Sequence, residues 1–289
     1  MRVLVVGGTR FIGAHAARQL AEAGAQVTVF HRGKSEAALP ARIAHIRDPL
    51  AEYPILRFPD AVRGRDWDVV VHMVMMGEAD AQATADAFDG RIGRLVMISS
   101  GDVYRAYGRL TGHEPGPLEP VPLTESAPLR ATFYPYRAMA GKLGNYAYDY
   151  EKILAERVMQ AARTPSVILR LPKVYGPEDN ANLATVYGFA GQPRWRWTHG
   201  HVDNVARAIV LAAMHPKAEG IYNVGEAHTP TMGERLAHLP LSSEPAAPLP
   251  QFDFAQDMVC DTTRIRDALG FAEVVEAAAA MRALAQGRR

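Results

Sequence analysis

The β-branched run at residues 3–6 breaks on Gly7 and Gly8 and leads, within a few residues, into a segment of helical spacing at 14–23. No other feature constrains the fold as strongly. A strand that stops on glycine and hands over to a helix is the opening βα unit of a parallel sheet. At a helix N-terminus the unpaired N–H groups and the aligned peptide dipoles favour an anion, so a turn of this kind can hold a pyrophosphate. Gly7 suits the tight turn and Gly13 a close helix–strand contact, while Arg10 stands where a middle glycine is expected.

The rest of the chain extends the pattern. Apolar runs at 26–30, 44–46, 68–72, 94–99 and 166–171 alternate with helical spacing at 79–88 and 148–162. Such alternation predicts an α/β fold, a Rossmann-type doubly wound parallel sheet covered by helices on both faces. Two proline-rich stretches, 113–128 and 240–250, fit neither a regular helix nor a central strand and are expected as surface loops or lids.

With 289 residues the chain can bury a full core as one large domain or two modest ones. A formal charge of +1 gives no general attraction to nucleic acid or acidic membrane, so the expected partner is a small molecule. Cys260 is the only cysteine, which excludes an intrachain disulfide and a thiolate zinc site and fits a reducing compartment. No run of about 18 apolar residues is present to span a bilayer. The expectation is a soluble, cytoplasmic protein.

Two further groups carry chemistry. Tyr148 and Lys152 are four apart at the start of an expected helix, which would place phenol and ammonium on one face. Tyrosine titrates near about pH 10, so a fixed cation beside it is what makes it useful as an acid or base near neutrality. The strand at 94–99 ends in Ser99 and Ser100, at the carboxyl edge where open parallel sheets bind their ligands.

Taken together, these motifs resemble the extended branch of the short-chain dehydrogenase/reductase superfamily, the epimerase/dehydratase-like proteins. The turn from Gly7 to Gly13 resembles TGGxGFIG, the run from Ser99 to Tyr104 resembles SSxxVYG, and Tyr148 with Lys152 matches YxxxK. Farther on, Arg170 to Pro177 resembles RPxxVYGP, Gly200 to Ala206 resembles HVDDVA, and Tyr222 to Gly225 resembles YNVG. The resemblance implies that Ser100, Tyr148 and Lys152 are catalytic: the phenol moves the proton, the lysine lowers its pKa and holds the nicotinamide ribose, and Ser100 orients the reacting oxygen. It implies a cofactor site made of Gly7, Thr9, Arg10, Phe11, Ile12 and Gly13 at the turn, with Arg32, Lys34 and Asp48 farther along. Met73, Ser99, Tyr148, Lys152, Leu171, Pro172 and Val174 complete it. A cofactor-binding domain over 1–175, to which 202–225 return, and a small substrate subdomain over 176–201 and 226–289 follow in the same way, as does a homodimer through the helices around Tyr148.

Departures from the pattern carry their own implications. Where dehydratases of this branch place an Asp-Glu pair, this chain has Gly101 and Asp102, so sugar-nucleotide dehydration is not implied. Asp102 is either a second acid or base or a loop aspartate. At the end of the second strand, NAD-specific sites place a carboxylate, whereas His31, Arg32 and Lys34 occur here. An arginine fork suits a 2′-phosphate, so NADP is expected ahead of NAD. For the substrate, the candidates are Asp102, Tyr104, Lys173, Arg194, Arg196 and His201. Residues 193–199 alternate arginine with tryptophan, which reads either as a stacking and phosphate-pairing surface or as an edge strand with one buried face. His199 and His201 lack companion ligands, and no metal is expected.

Three functions remain open at this point: an NAD(P)-dependent epimerase or oxidoreductase acting on a nucleotide sugar or similar polyol, an NADPH-dependent reductase of a small carbonyl metabolite, and a cofactor-binding protein that acts by binding a partner or RNA. Neutral net charge weakens the last.

Overall fold

In the computed structural model the strands are β1 (Arg2–Val6), β2 (Gln26–His31), β3 (Ala44–Arg47), β4 (Val69–His72), β5 (Arg94–Ser100), β6 (Ser166–Leu171), β7 (Lys173–Tyr175), β8 (His199–His201) and β9 (Gly220–Asn223). The helices are α1 (Phe11–Glu22), α2 (Asp60–Arg63), α3 (Glu78–Phe88), α4 (Arg105–Leu110), α5 (Ala140–Leu143), α6 (Lys152–Ala161), α7 (Ala184–Tyr187), α8 (Val202–Met214), α9 (Met232–Ala237), α10 (Thr263–Leu269) and α11 (Ala277–Gln286). The structure describes residues 1–34, 38–242 and 251–287. Most of the second proline-rich stretch, 243–250, therefore lies outside the described residues.

The main sheet has the order β3-β2-β1-β4-β5-β6-β9, and the ladders from β3 through β5 are parallel. The chain goes outward from β1 to β3 and then crosses to β4, so the order reverses between β1 and β4. That reversal opens a crevice at the carboxyl ends of the two strands, where doubly wound sheets take their ligands. Val3 to Val6 are fully buried because a central parallel strand is covered on both faces, which explains the unbroken apolar run. Two clusters hold this layer. One gathers Phe30, Phe58, Trp67 and Phe88; the other gathers Met75, Met97, Met159 and Ile168.

Two compact units divide the chain. The first comprises Met1–Ser100, Phe133–Arg170 and Ala206–Tyr222; the second comprises Gly101–Thr132, Leu171–Val205 and Asn223–Arg289. These units differ from the expected division, since 101–132, 171–175, 202–205 and 223–225 group with the second. Within that unit, β7 pairs in parallel with β8 as a separate two-stranded sheet. Its core joins Tyr175, Leu183, Val186 and Met281.

One helix starts later than its spacing predicts. The expected helix over 148–162 begins at Lys152, and Glu151 is its extended N-cap, with φ −155°. Tertiary contacts set this start. The Glu151 N–H donates to the Met76 carbonyl at 2.9 Å, and its carboxylate accepts from Ile153 N at 3.0 Å and Tyr134 N at 2.7 Å. A buried carboxylate that accepts from a first-turn N–H is a strong cap, and it starts the helix only after Tyr148.

Candidate active site and cofactor cradle

The turn after β1 meets the physical demands of a pyrophosphate cradle. Gly7 has φ +86°, a conformation that favours glycine, and a Cβ on Gly13 would lie 2.7 Å from the Gly7 oxygen. A side chain at position 13 would therefore push α1 off its strand. Arg10 occupies the extended N-cap of α1 and makes no side-chain cap, while its carbonyl accepts from Gly13 N at 3.0 Å and Ala14 N at 3.3 Å.

A cavity of about 320 Å³ opens there, lined by Gly7, Thr9, Arg10, Phe11, Ile12 and Gly13, by His31, Arg32, Gly33 and Lys34, and by Tyr53, Met73, Val74 and Ile98. The structure thus brings together nine of the expected cofactor residues. None of the described lining residues is acidic, and three are basic. The Arg32 guanidinium lies over the Tyr53 ring at 3.9 Å, which orients its fork. Beneath it, His31 Nε2 meets His45 Nδ1 at 3.0 Å, and Gly33 N–H donates to His31 Nδ1 at 3.2 Å. The lining is thus electropositive, which suits the phosphates of a dinucleotide. Tyr53, Val74 and Ile98 escaped the sequence reading because they belong to no motif; His31 was read only as the residue standing where NAD-specific sites place a carboxylate.

Asp48 does not line the cavity. Its carboxylate accepts from Leu50 N at 3.0 Å and lies 3.6 Å from Arg57, so it closes its own turn. Ser99 is also elsewhere: its hydroxyl donates to Glu156 at 2.6 Å, within a buried network where Arg170 Nε and Nη2 reach the same carboxylate at 3.0 and 2.7 Å. That network ties β5, β6 and α6 together. Ser100 ends β5 and is half-buried.

Lys152 is buried at the start of α6, and its ammonium donates to the carbonyls of Met75 and, at 3.0 Å, Ile98. Around it stand two groups that no motif announced. His72 is wholly buried, neither ring nitrogen has a hydrogen-bond partner, and burial together with the Lys152 charge lowers its pKa to about 3. Asp80 accepts from Met76 N at 2.6 Å and Gly77 N at 2.8 Å, although burial pushes its carboxyl above the ordinary range.

Tyr148 does not share a helical face with Lys152. It follows a short 3₁₀ turn, Asn145–Ala147, and is 54% exposed. The aromatic ring beside the ammonium is that of Tyr150, with its centroid 5.4 Å from Lys152 Nζ. Tyr148 has a different cation beside it: the Arg137 guanidinium, 4.6 Å from its ring centroid.

In the second unit, Asp102 is buried in a 3₁₀ turn, and the buried Tyr104 hydroxyl donates to Asn223 at 2.6 Å. Leu171 and Val174 are buried, and Pro172 packs against Gly200. Lys173 lies on β7 and is half-buried. Residues 195–198 are not an edge strand, because Arg196 bridges to Thr231 and Trp197 to Met258. Arg196 pairs with Asp257 at 2.7 Å, whereas Arg194 is exposed. Trp195 and Trp197 join Phe189, Phe252 and Phe254 in one aromatic cluster, with ring centroids 4.9 to 6.3 Å apart. His201 lines a separate cavity of about 730 Å³ with Tyr175, His199, Glu226 and Arg235. Burial keeps His199 neutral, and the Arg235 guanidinium pairs with Glu226. Among the described residues, no group of three His, Cys, Asp or Glu is placed to hold a metal, and no helix is long and apolar enough to cross a membrane.

Comparison with known proteins agrees with this geometry. The model of the NAD dependent epimerase/dehydratase family matches residues 3–225. A 2′-dehydrokanamycin reductase from Streptomyces kanamyceticus is 28% identical over 243 residues, and the match takes in 76% of this chain but only 60% of that protein. The UDP-glucuronic acid 4-epimerase of Bacillus cereus, solved with UDP-glucuronic acid and NAD, superposes with a TM-score of 0.67 at 18% identity, over 99% of this chain and 98% of that one. The UDP-glucose 4-epimerase of Thermus thermophilus, solved with NAD, gives 0.66 at 20% identity, over 99% and 98%. With a glycine turn built for a dinucleotide and a family match running from β1 through β9, the chain belongs to the NAD dependent epimerase/dehydratase family.

Proposed function

We propose that this enzyme is an NAD(P)-dependent oxidoreductase or epimerase that acts at a hydroxyl or carbonyl carbon of a nucleotide sugar or similar polyol, with NADP(H) preferred to NAD(H). The observation that carries the reading is the cradle itself. It combines a glycine turn at the N-terminus of α1 with a lining that has three basic side chains and no acidic one among the described residues.

When bound, the nicotinamide cofactor supplies or accepts the hydride. The chain's own residues handle the proton and the oxygen. The Tyr148 phenol gives its proton to a carbonyl oxygen as hydride arrives, or takes one from a hydroxyl as hydride leaves. Ser100 orients that oxygen by hydrogen bonding. Lys152 is held by the carbonyls of Met75 and Ile98, which fixes its ammonium past the end of β4 and beside the last residues of β5. The assembly is a homodimer.

A second reading, an NADPH-dependent reductase of a small carbonyl metabolite, is favoured by the same basic lining and by the likeness to a 2′-dehydrokanamycin reductase. Two couples separate them: NADPH with 2′-dehydrokanamycin, and NAD⁺ with UDP-glucose, each followed by nicotinamide absorbance and by mass and NMR spectra of the sugar. Net oxidation of NADPH supports the reductase; an inverted sugar carbon with the cofactor returned unchanged supports the epimerase. Calorimetry that finds no binding of either dinucleotide would reject both.

A further inference from the structure

We infer that Arg137 is the positioning residue for the Tyr148 phenol, an inference that rests on Tyr148 being the acid or base. In a helix, Tyr148 would be oriented by its own turn and by the residue four places on. The cap at Glu151 removes that support, leaving a half-exposed tyrosine on a short turn. A phenol that is free to change rotamer cannot keep its oxygen at a reacting atom, because misplacement by about 1 Å is enough to cost on the order of 10² in rate.

Arg137 supplies the missing constraint through three contacts. Its Nε–H donates to the Tyr148 carbonyl at 2.9 Å, its guanidinium carbon lies 4.6 Å from the Tyr148 ring centroid, and Nη2 is 3.5 Å from the Asp149 carboxylate. The same guanidinium lies 3.7 Å from the ring centroid of Tyr134. Tyr134 is itself fixed, with φ +60° and an N–H that donates to Glu151 at 2.7 Å. The carboxylate that starts the helix only after Tyr148 thus also anchors the tyrosine on which Arg137 rests. Only a planar, delocalised cation can stack on a ring and donate in its plane together, so lysine is no substitute.

The test is a double-mutant cycle with NADPH and 2′-dehydrokanamycin as the probe couple. Arg137→Gln is expected to lower kcat roughly three- to thirtyfold, the range that a cation–π contact is worth, with KM and the NADPH dissociation constant unchanged. Arg137→Lys should stay impaired, since charge alone does not restore stacking. In the Tyr148→Phe background, Arg137→Gln should cost nothing more, because there is no phenol left to place. A further multiplicative loss in that background, or recovery in Arg137→Lys, would overturn the inference. If Tyr148→Phe is as active as the parent, the underlying assignment of Tyr148 fails instead.

A second measurement needs no turnover. In protein carrying ¹³C at the tyrosine phenol carbon, the Tyr148 resonance is the one lost in Tyr148→Phe. Arg137→Gln should move the Tyr148 and Tyr134 resonances and leave the other tyrosines in place. An unmoved Tyr148 resonance would overturn the inference whether or not the probe couple reacts.

Discussion

The phosphate turn and the tyrosine segment are equally visible as motifs, yet only one has the geometry its spacing predicts. From Gly7 to Gly13 each residue's task is local. One glycine needs a positive φ, another must lack a Cβ beside the Gly7 oxygen, and both demands act within a few residues. From Tyr134 to Lys152 the outcome depends on distant backbone. Where α6 begins is decided by Glu151, which bonds Met76 on one side and Tyr134 on the other. A spacing of four places two side chains on one face only after a helix is known to contain both.

The largest expected effect tests that contrast directly. Tyr148→Phe should reduce turnover by roughly 10² to 10⁴, the usual cost of removing a positioned acid–base group, while cofactor affinity stays near that of the parent. Tyr150→Phe is the counter-test, since Tyr150 is the ring beside the Lys152 ammonium. If kcat falls in Tyr150→Phe and not in Tyr148→Phe, the motif spacing has named the wrong phenol.

Next in size is the cofactor preference, a property of the first region. Arg32→Ala should weaken NADPH about ten- to a hundredfold, because a hydrogen bond to a charged partner is worth about 1.5 to 3 kcal/mol. NADH should bind as before. Dissociation constants for both cofactors decide it: equal losses, or a parent that already prefers NADH, would leave Arg32 as a group held by Tyr53 and nothing more.

The last effect is on stability rather than on turnover or cofactor binding, and it belongs to His72, buried beside Lys152. The folded pKa of His72, about 3, lies below its ordinary 6.5, so below about pH 6.5 the unfolded chain binds a proton that the folded chain refuses. Stability should therefore fall as the pH drops from about 6.5 towards 3, by up to about 1.4 kcal/mol per pH unit from this residue alone. His72→Leu should flatten that part of the profile in urea unfolding. Parallel profiles for parent and variant would mean that His72 is already charged in the fold.

Much of the first unit was legible because its signals are periodic or local. The apolar runs foresaw β1 to β6 to within a residue or so at each end, since buried parallel strands leave no alternation to misread. The basic cluster at Arg10, Arg32 and Lys34 was also readable, as all three sit in or beside turns that follow directly from strands. Asp48 and Ser99 are absent from the cavity lining for one shared reason. Each occupies the right sheet edge, but its side chain turns to a nearer partner, Leu50 N for one and Glu156 for the other.

By itself, then, the sequence determined the doubly wound sheet, the glycine turn and the basic lining of its crevice, because these follow from φ preferences, missing Cβ atoms and runs of buried residues. Tertiary structure alone decided where α6 begins, which ring stands beside Lys152, that Arg137 meets Tyr148, and that 101–132 group with the second unit. Those outcomes depend on hydrogen bonds and packing between residues far apart along the chain, and no local preference encodes such contacts.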